Sequence, residues 1–136
     1  MGLSQENRVD VVKYRIERAF IALDQAKKNL QIHCLEVTAN RLYYAAYYAA
    51  SALLIAHGIQ TKSHDGCIGQ FGLHFIKTGI LPIEKGKLFR KLFTMRLTGD
   101  YDDHFDLTED DVAPQVQPTE DFIICVTNLA KEKMNI

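Results

Sequence analysis

The sequence predicts an all-α fold, an antiparallel four- to five-helix up-and-down bundle formed by one domain over residues 1–136. Apolar residues recur at three- and four-residue steps along most of the chain. No segment sustains the alternation of a strand, and Gly and Pro divide the periodic stretches into helix-sized pieces with short connections.

The first piece spans about 4–31. Val9, Val12, Ile16, Ala19, Phe20, Leu23 and Leu30 line one face, with Lys, Arg, Asp and Glu between them, and Ser4 is the N-cap. The second spans about 35–57. Ala45, Ala46, Ala49, Ala50, Ala52 and Ala56 are strong helix formers whose small side chains let a neighbouring helix approach closely. Tyr43, Tyr44, Tyr47 and Tyr48 share this helix, and Gly58 stops it. Residues 59–66 read as a loop. A short helix over about 66–77 carries Ile68, Phe71, Phe75 and Ile76, and Gly79 and Pro82 end it. A fourth helix covers about 84–98 with Leu88, Leu92 and Met95 on one face, and Gly99 is placed to end or loosen it. The last helix carries Phe122, Ile123, Val126, Leu129 and Ala130, with Pro114 and Pro118 kinking or restarting it.

Composition narrows the function. The 136 residues suffice to bury a core without staples. Sixteen basic and seventeen acidic residues leave a net charge of −1, so any nucleic-acid surface must be local. Three widely spaced cysteines, Cys34, Cys67 and Cys125, form neither a zinc knuckle nor a disulfide framework. Reduced thiols, a polar N-terminus without a signal-peptide core and no apolar run long enough to span a bilayer together give the expectation of a cytoplasmic protein that does not enter the membrane.

Three groups of residues could carry chemistry. Arg41, Tyr44 and Tyr48 share one helix face. The tyrosines either fill the core or a dimer seam, or form a stacking surface for bases with Arg41 on phosphate. Lys62, Ser63 and His64 precede a helix start. Either Lys62 and the backbone N–H groups meet an anion, or Ser63 or Asp65 caps the helix and His64 is a loop residue. Arg96 and Asp100 are spaced to pair on a continued helix, with Tyr101 beside them. That pair is either structural or part of a polar cluster at the bundle cleft. Lys85, Lys87, Arg90, Lys91 and Arg96 adjoin an acidic run, which suggests a solvated surface or a partner site of mixed charge. Asp100, Asp102 and Asp103 match no metal loop, so no metal or cofactor is expected.

The run Arg41-Leu42-Tyr43-Tyr44-Ala45-Ala46-Tyr47-Tyr48-Ala49-Ala50-Ser51-Ala52-Leu53-Leu54, then Gly58, Lys62-Ser63-His64, Phe71 through Gly79, and Arg96-Leu97-Thr98-Gly99-Asp100-Tyr101 resembles the HEPN family over about 35–105. The resemblance implies a helical bundle that often forms homodimers. It also implies prokaryotic relatives, often encoded beside a minimal nucleotidyltransferase as toxin–antitoxin modules. Active members resemble metal-independent ribonucleases in which an Arg, separated by four to six intervening residues from a His, holds phosphate charge while the His moves a proton. Here Tyr101 stands where four residues intervene, and His104 follows Arg96 after seven. A continuous helix separates positions 96 and 104 by ~12 Å along its axis. The variant Arg-x-x-x-Asp-Tyr motif therefore points first to a nucleotide- or partner-binding module with Arg41, Tyr44, Tyr48, Lys62, His64, Arg96, Asp100 and Tyr101 as its binding residues. The alternatives are a divergent ribonuclease toxin using Arg96 and His104, or His64 from the loop, and a purely structural helical adaptor.

Overall fold

A computed structural model describes residues 4–101 and 107–136, with residues 99–101 described by their backbone alone. The described residues form helices joined by short connections, with no strand among them: α1 (Gln5–Gln31), α2 (Leu35–Ala56), α3 (His64–Phe71), α4 (Ile83–Tyr101), α5 (Glu109–Val112) and α6 (Val116–Met134). No described helix is long and apolar enough to cross a membrane.

Helix α1 begins where Ser4 accepts a hydrogen bond from the Asn7 N–H. A three-residue connection, 32–34, turns the chain back into α2. The two run antiparallel: Gln25 of α1 meets Arg41 near the start of α2, while Arg15 and Arg18 meet Tyr48 further along it. The alanines explain how close they lie. Ala19, Ala22 and Ala26 of α1 and Ala39, Ala45, Ala46, Ala49 and Ala50 of α2 are all buried. Helix α2 is the central element, packed against α1, α3, α4, α5 and α6. It ends at Gly58, whose φ of +75° is a conformation that costs a residue with a Cβ. The Arg8 guanidinium lies over the same glycine.

The third helix starts two residues earlier than the sequence suggested. Ser63 is its N-cap, in extended conformation, and its Oγ accepts the Gly66 N–H at 2.9 Å. His64 is therefore the first residue of α3, not a loop residue. The α-helical turns end at Phe71 and a π-helical segment continues them over Gly72–Ile76. Phe71 and Phe75 both remain buried, with Phe71 5.5 Å from the Phe89 and Phe122 rings.

Gly99 does not end α4, which continues to Tyr101. A single glycine costs a helix only about 1 kcal/mol. Helix α5 was not foreseen. Thr108 and Asp111 form a capping box at its start, and this selects a helical turn out of the acidic run. Pro114 sits in a 3-10 turn, Ala113–Gln115, and Pro118 lies in the first turn of α6, where no intrahelical N–H bond is lost. The prolines thus restart the last helix instead of kinking it. Lys27 of α1 forms an ion pair with Glu120 of α6, and His33 meets Glu109 at 3.1 Å, tying the α1–α2 turn to α5.

Candidate functional site

The tyrosine row of α2 divides by helix periodicity into two stacks. Tyr43 and Tyr47 share one face, and Tyr44 and Tyr48 share the next. Tyr43 is fully buried. Its ring lies 5.4 Å from Phe93 and 6.0 Å from Phe89 of α4. Tyr44, Tyr47 and Tyr48 are half-buried, with ring centres 5.8–6.0 Å apart. The row is thus core at Tyr43 and a surface-facing aromatic platform at the other three.

Three other helices deliver polar groups onto this platform. From α3 comes His64, whose ring centre lies 4.6 Å from Tyr47, 5.5 Å from Tyr43 and 5.7 Å from Tyr44. From α4 comes Arg96, whose guanidinium carbon lies 5.5 Å from the centre of the Tyr43 ring and 5.4 Å from that of Tyr44. From α1 come Arg15 and Arg18, 5.7 and 5.5 Å from the centre of the Tyr48 ring. Arg41 of α2 lies 5.0 Å above Tyr44, held by the side-chain oxygens of Asn40 and Gln25. Such distances fit cation–π contacts, in which a guanidinium covers the ring face while its edge can still donate hydrogen bonds.

The chemistry at the centre follows from burial. The Tyr43 hydroxyl and His64 Nδ1 are 2.7 Å apart. Desolvation holds the Tyr43 pKa well above its ordinary value, so the phenol keeps its proton. That proton is buried, and His64 is its hydrogen-bond acceptor, so Tyr43 donates to Nδ1. His64 then carries its own proton on Nε2. Burial, and then the Arg96 charge, lower the His64 pKa, with Asp65 opposing them, so the ring is neutral at neutral pH. Cys67 lies below the platform with its thiol pushed up to about 12 by desolvation, so it supplies no thiolate nucleophile. Desolvation, with Cys67 next, also raises the Tyr47 pKa, and Arg15 opposes the shift.

Arg41, Tyr44, Tyr48, His64 and Arg96, each singled out by sequence, therefore stand in one cluster. Lys62 lies exposed in the preceding loop. The helical backbone puts Asp100 one turn beyond Arg96 and Tyr101 next to it, but their side chains are not among those described. His104 lies outside the described residues. Sequence reasoning did not single out Arg15 and Arg18, and from the tyrosine row it chose Tyr44 and Tyr48 but neither Tyr43 nor Tyr47. The i,i+3 spacing of the two arginines on one face of α1 was visible, but nothing local says that this face meets Tyr48. The basic residues Lys87, Arg90 and Lys91 line a separate groove of about 750 Å³ with Asp110 and Asp111 opposite. No described group of three or more His, Cys, Asp or Glu residues is gathered as metal ligands would be.

Comparison with known proteins places this geometry. A UPF0332 protein of Thermotoga maritima is 34% identical over 122 residues, covering 90% of this chain and 92% of that protein. A UPF0332 protein of Gloeobacter violaceus is 34% identical over 101 residues, 74% of this chain and 75% of its own length. A Methanocaldococcus jannaschii protein named "Putative toxin MJ0142" is 31% identical over 87 residues, 64% of this chain and 59% of its own. The HEPN domain profile matches residues 12–129, and with most of the chain inside that match, this protein belongs to the HEPN domain family.

Proposed function

We propose that this chain is the HEPN component of a toxin–antitoxin type module and that the platform of Tyr44, Tyr47 and Tyr48 binds a phosphate-bearing nucleotide. One observation carries the reading: guanidiniums from three helices and a neutral His64 converge on a row of half-buried tyrosine rings. Bases stack on such faces whatever their sequence, and guanidiniums match phosphate in geometry and charge. A relative named as a toxin supports the module, and the family resemblance supports a nucleotidyltransferase-like antitoxin and a second copy of this chain as partners. The test is thermal unfolding with uridine monophosphate or ATP. A ligand at a hundred times its Kd stabilises by about 2.7 kcal/mol, which reads as a rise of several degrees in Tm. The Arg96→Gln variant is expected to lose that rise. An unchanged Tm in the wild type at millimolar nucleotide would remove the reading.

A second reading, a metal-independent ribonuclease, is favoured by one contact pattern. His64 and Arg96 lie against the same two rings, Tyr43 and Tyr44, so a histidine accompanies the arginine without His104. Arg96 would hold the phosphate charge and His64 would move the proton. Cleavage of labelled RNA in EDTA that disappears in both Arg96→Gln and His64→Gln would establish it. Cleavage that survives His64→Gln would exclude His64 from the chemistry.

A further inference from the structure

Arg41 is held over Tyr44 by amides, not by carboxylates. Asn40 Oδ1 accepts from its Nε at 3.0 Å and from its Nη2 at 2.8 Å, and Gln25 Oε1 accepts from its Nη1 at 3.1 Å. Asn40 is its neighbour on α2, whereas Gln25 reaches across from α1, where it adjoins the buried Ala26. The guanidinium so held lies 5.0 Å from the centre of the half-buried Tyr44 ring. The ion pairs among the described residues, Lys27–Glu120, Lys28–Asp24 and His33–Glu109, do not include Arg41. Asp24, next to Gln25 in the chain, directs its carboxylate to Lys28 at 2.9 Å.

Neutral holders fix the guanidinium without cancelling its charge. A carboxylate in either place would make a stronger, charge-assisted hydrogen bond and would tie α1 to α2 more firmly. It would also offset much of the charge that Arg41 offers to an incoming anion. A guanidinium carries five N–H donors. One on Nε, one on Nη1 and one on Nη2 are engaged, so one N–H remains on each terminal nitrogen. With its plane already set by hydrogen bonds, the side chain has little freedom left to lose when an anion accepts those remaining donors. A strut between two helices needs the hydrogen bonds but not the uncancelled charge, whereas an anion site needs both.

We infer that Gln25 and Asn40 are positioning residues for Arg41: their neutral amide oxygens hold its guanidinium ready over Tyr44 and leave its charge, and one N–H on each terminal nitrogen, for the phosphate of the ligand. This rests on the nucleotide-binding reading above. Neither amide touches the ligand. Both act through Arg41, by fixing where its donors point and by adding no negative charge beside them.

The experiment measures Tm and uridine monophosphate affinity for the full chain as wild type, Gln25→Glu and Gln25→Met, each with and without Arg41→Gln. Gln25→Glu keeps an acceptor in place and adds a charge, while Gln25→Met keeps the unbranched stem and removes the acceptor. Gln25→Glu is expected to hold or raise Tm while weakening the nucleotide about 10-fold. Gln25→Met should weaken it about threefold, because Arg41 loses its holder on α1. In the Arg41→Gln background both changes at position 25 should shift affinity by less than about twofold, since the group they act through is gone. A plain strut gives a different split: Gln25→Glu raises Tm and leaves affinity unchanged. That result overturns the proposal. An equal loss in the Arg41→Gln background overturns it too, because the added carboxylate then acts on the ligand directly. If the wild type binds and Arg41→Gln binds equally well, Arg41 lies outside the site, and the proposal falls while nucleotide binding stands. Should Gln25→Glu fail to fold, Asn40→Asp makes the same change of charge at the other holder and carries the same comparison. If the wild type does not bind uridine monophosphate, the nucleotide-binding reading has failed and the positioning role falls with it.

Discussion

The contact between the Tyr43 hydroxyl and His64 Nδ1 at 2.7 Å decides what His64 can offer a ligand. A phenol held protonated by burial fixes the imidazole with its N–H on Nε2, and a neutral ring avoids adding another charge beside Arg96. Tyr43→Phe keeps the buried ring, its stacking on Phe89 and its tilted contact with Phe93 while deleting the donor. It is expected to cost about 0.5–1.5 kcal/mol in denaturant unfolding. It should also release the tautomer, visible as a change in the His64 ring nitrogen shifts by NMR. Unaltered shifts would show that Tyr43 does not set the tautomer. Tyr44, Tyr48 and Arg96 were legible in the sequence because residue type and helical spacing are local. The role of Tyr43 was not, since its hydroxyl has meaning only once α3 brings His64 to it.

At the scale of elements, α3 is the piece on which the site depends, because its first residue is His64. Two local features hold that residue in place. The Ser63 Oγ caps the helix, and Gly66 leaves room for it: a Cβ on Gly66 would stand 3.0 Å from the Ser63 Oγ. Ser63→Ala is expected to lower stability by about 1 kcal/mol. The midpoint in urea should fall at unchanged m-value, and nucleotide affinity should fall with it. A drop in stability with affinity intact would mean that His64 is held by the tyrosines alone. The sequence held both the Ser63 cap and the breaks at Gly58 and Gly79. It misplaced the start of α3 by two residues because both Ser63 and Asp65 are competent caps, and burial of Cys67 and Ile68 chose between them. Gly99 was read as a stop because glycine is a weak helix former, yet that cost is small beside the packing of Phe89, Leu92 and Met95 in α4.

For the whole molecule, the two histidines with lowered pKa set the acid limb of stability. His64 is depressed by desolvation and then by Arg96, and His57 by desolvation and then by Lys133 and His74. In each case the folded state binds its proton at a lower pH than the unfolded chain does. The folding stability contributed by the neutral rings is therefore intact above the unfolded value near 6.5 and is lost as pH falls from there through the folded pKa values. Tm is expected to be flat from about pH 8 to 7 and to fall below about 6.5. His64→Gln should remove part of that slope, and a slope identical to the wild type would show that His64 does not contribute. A phosphate bound beside Arg96 should oppose the loss, because an anion favours the imidazolium.

By itself the sequence determined the class of the molecule and the parts of its site. Periodicity at three and four residues commits the chain to helices, the alanines of α2 commit it to a tight neighbour, and the tyrosines, His64 and the arginines are present as residue types wherever they come to lie. Only the tertiary structure decided which of these parts meet. Arg15, Arg18, His64 and Arg96 come from three helices, and their convergence on one tyrosine row is fixed by how the helix faces pack. That choice belongs to the burial of α2 among its neighbours, a long-range balance of apolar area and close packing that no local stretch of sequence encodes.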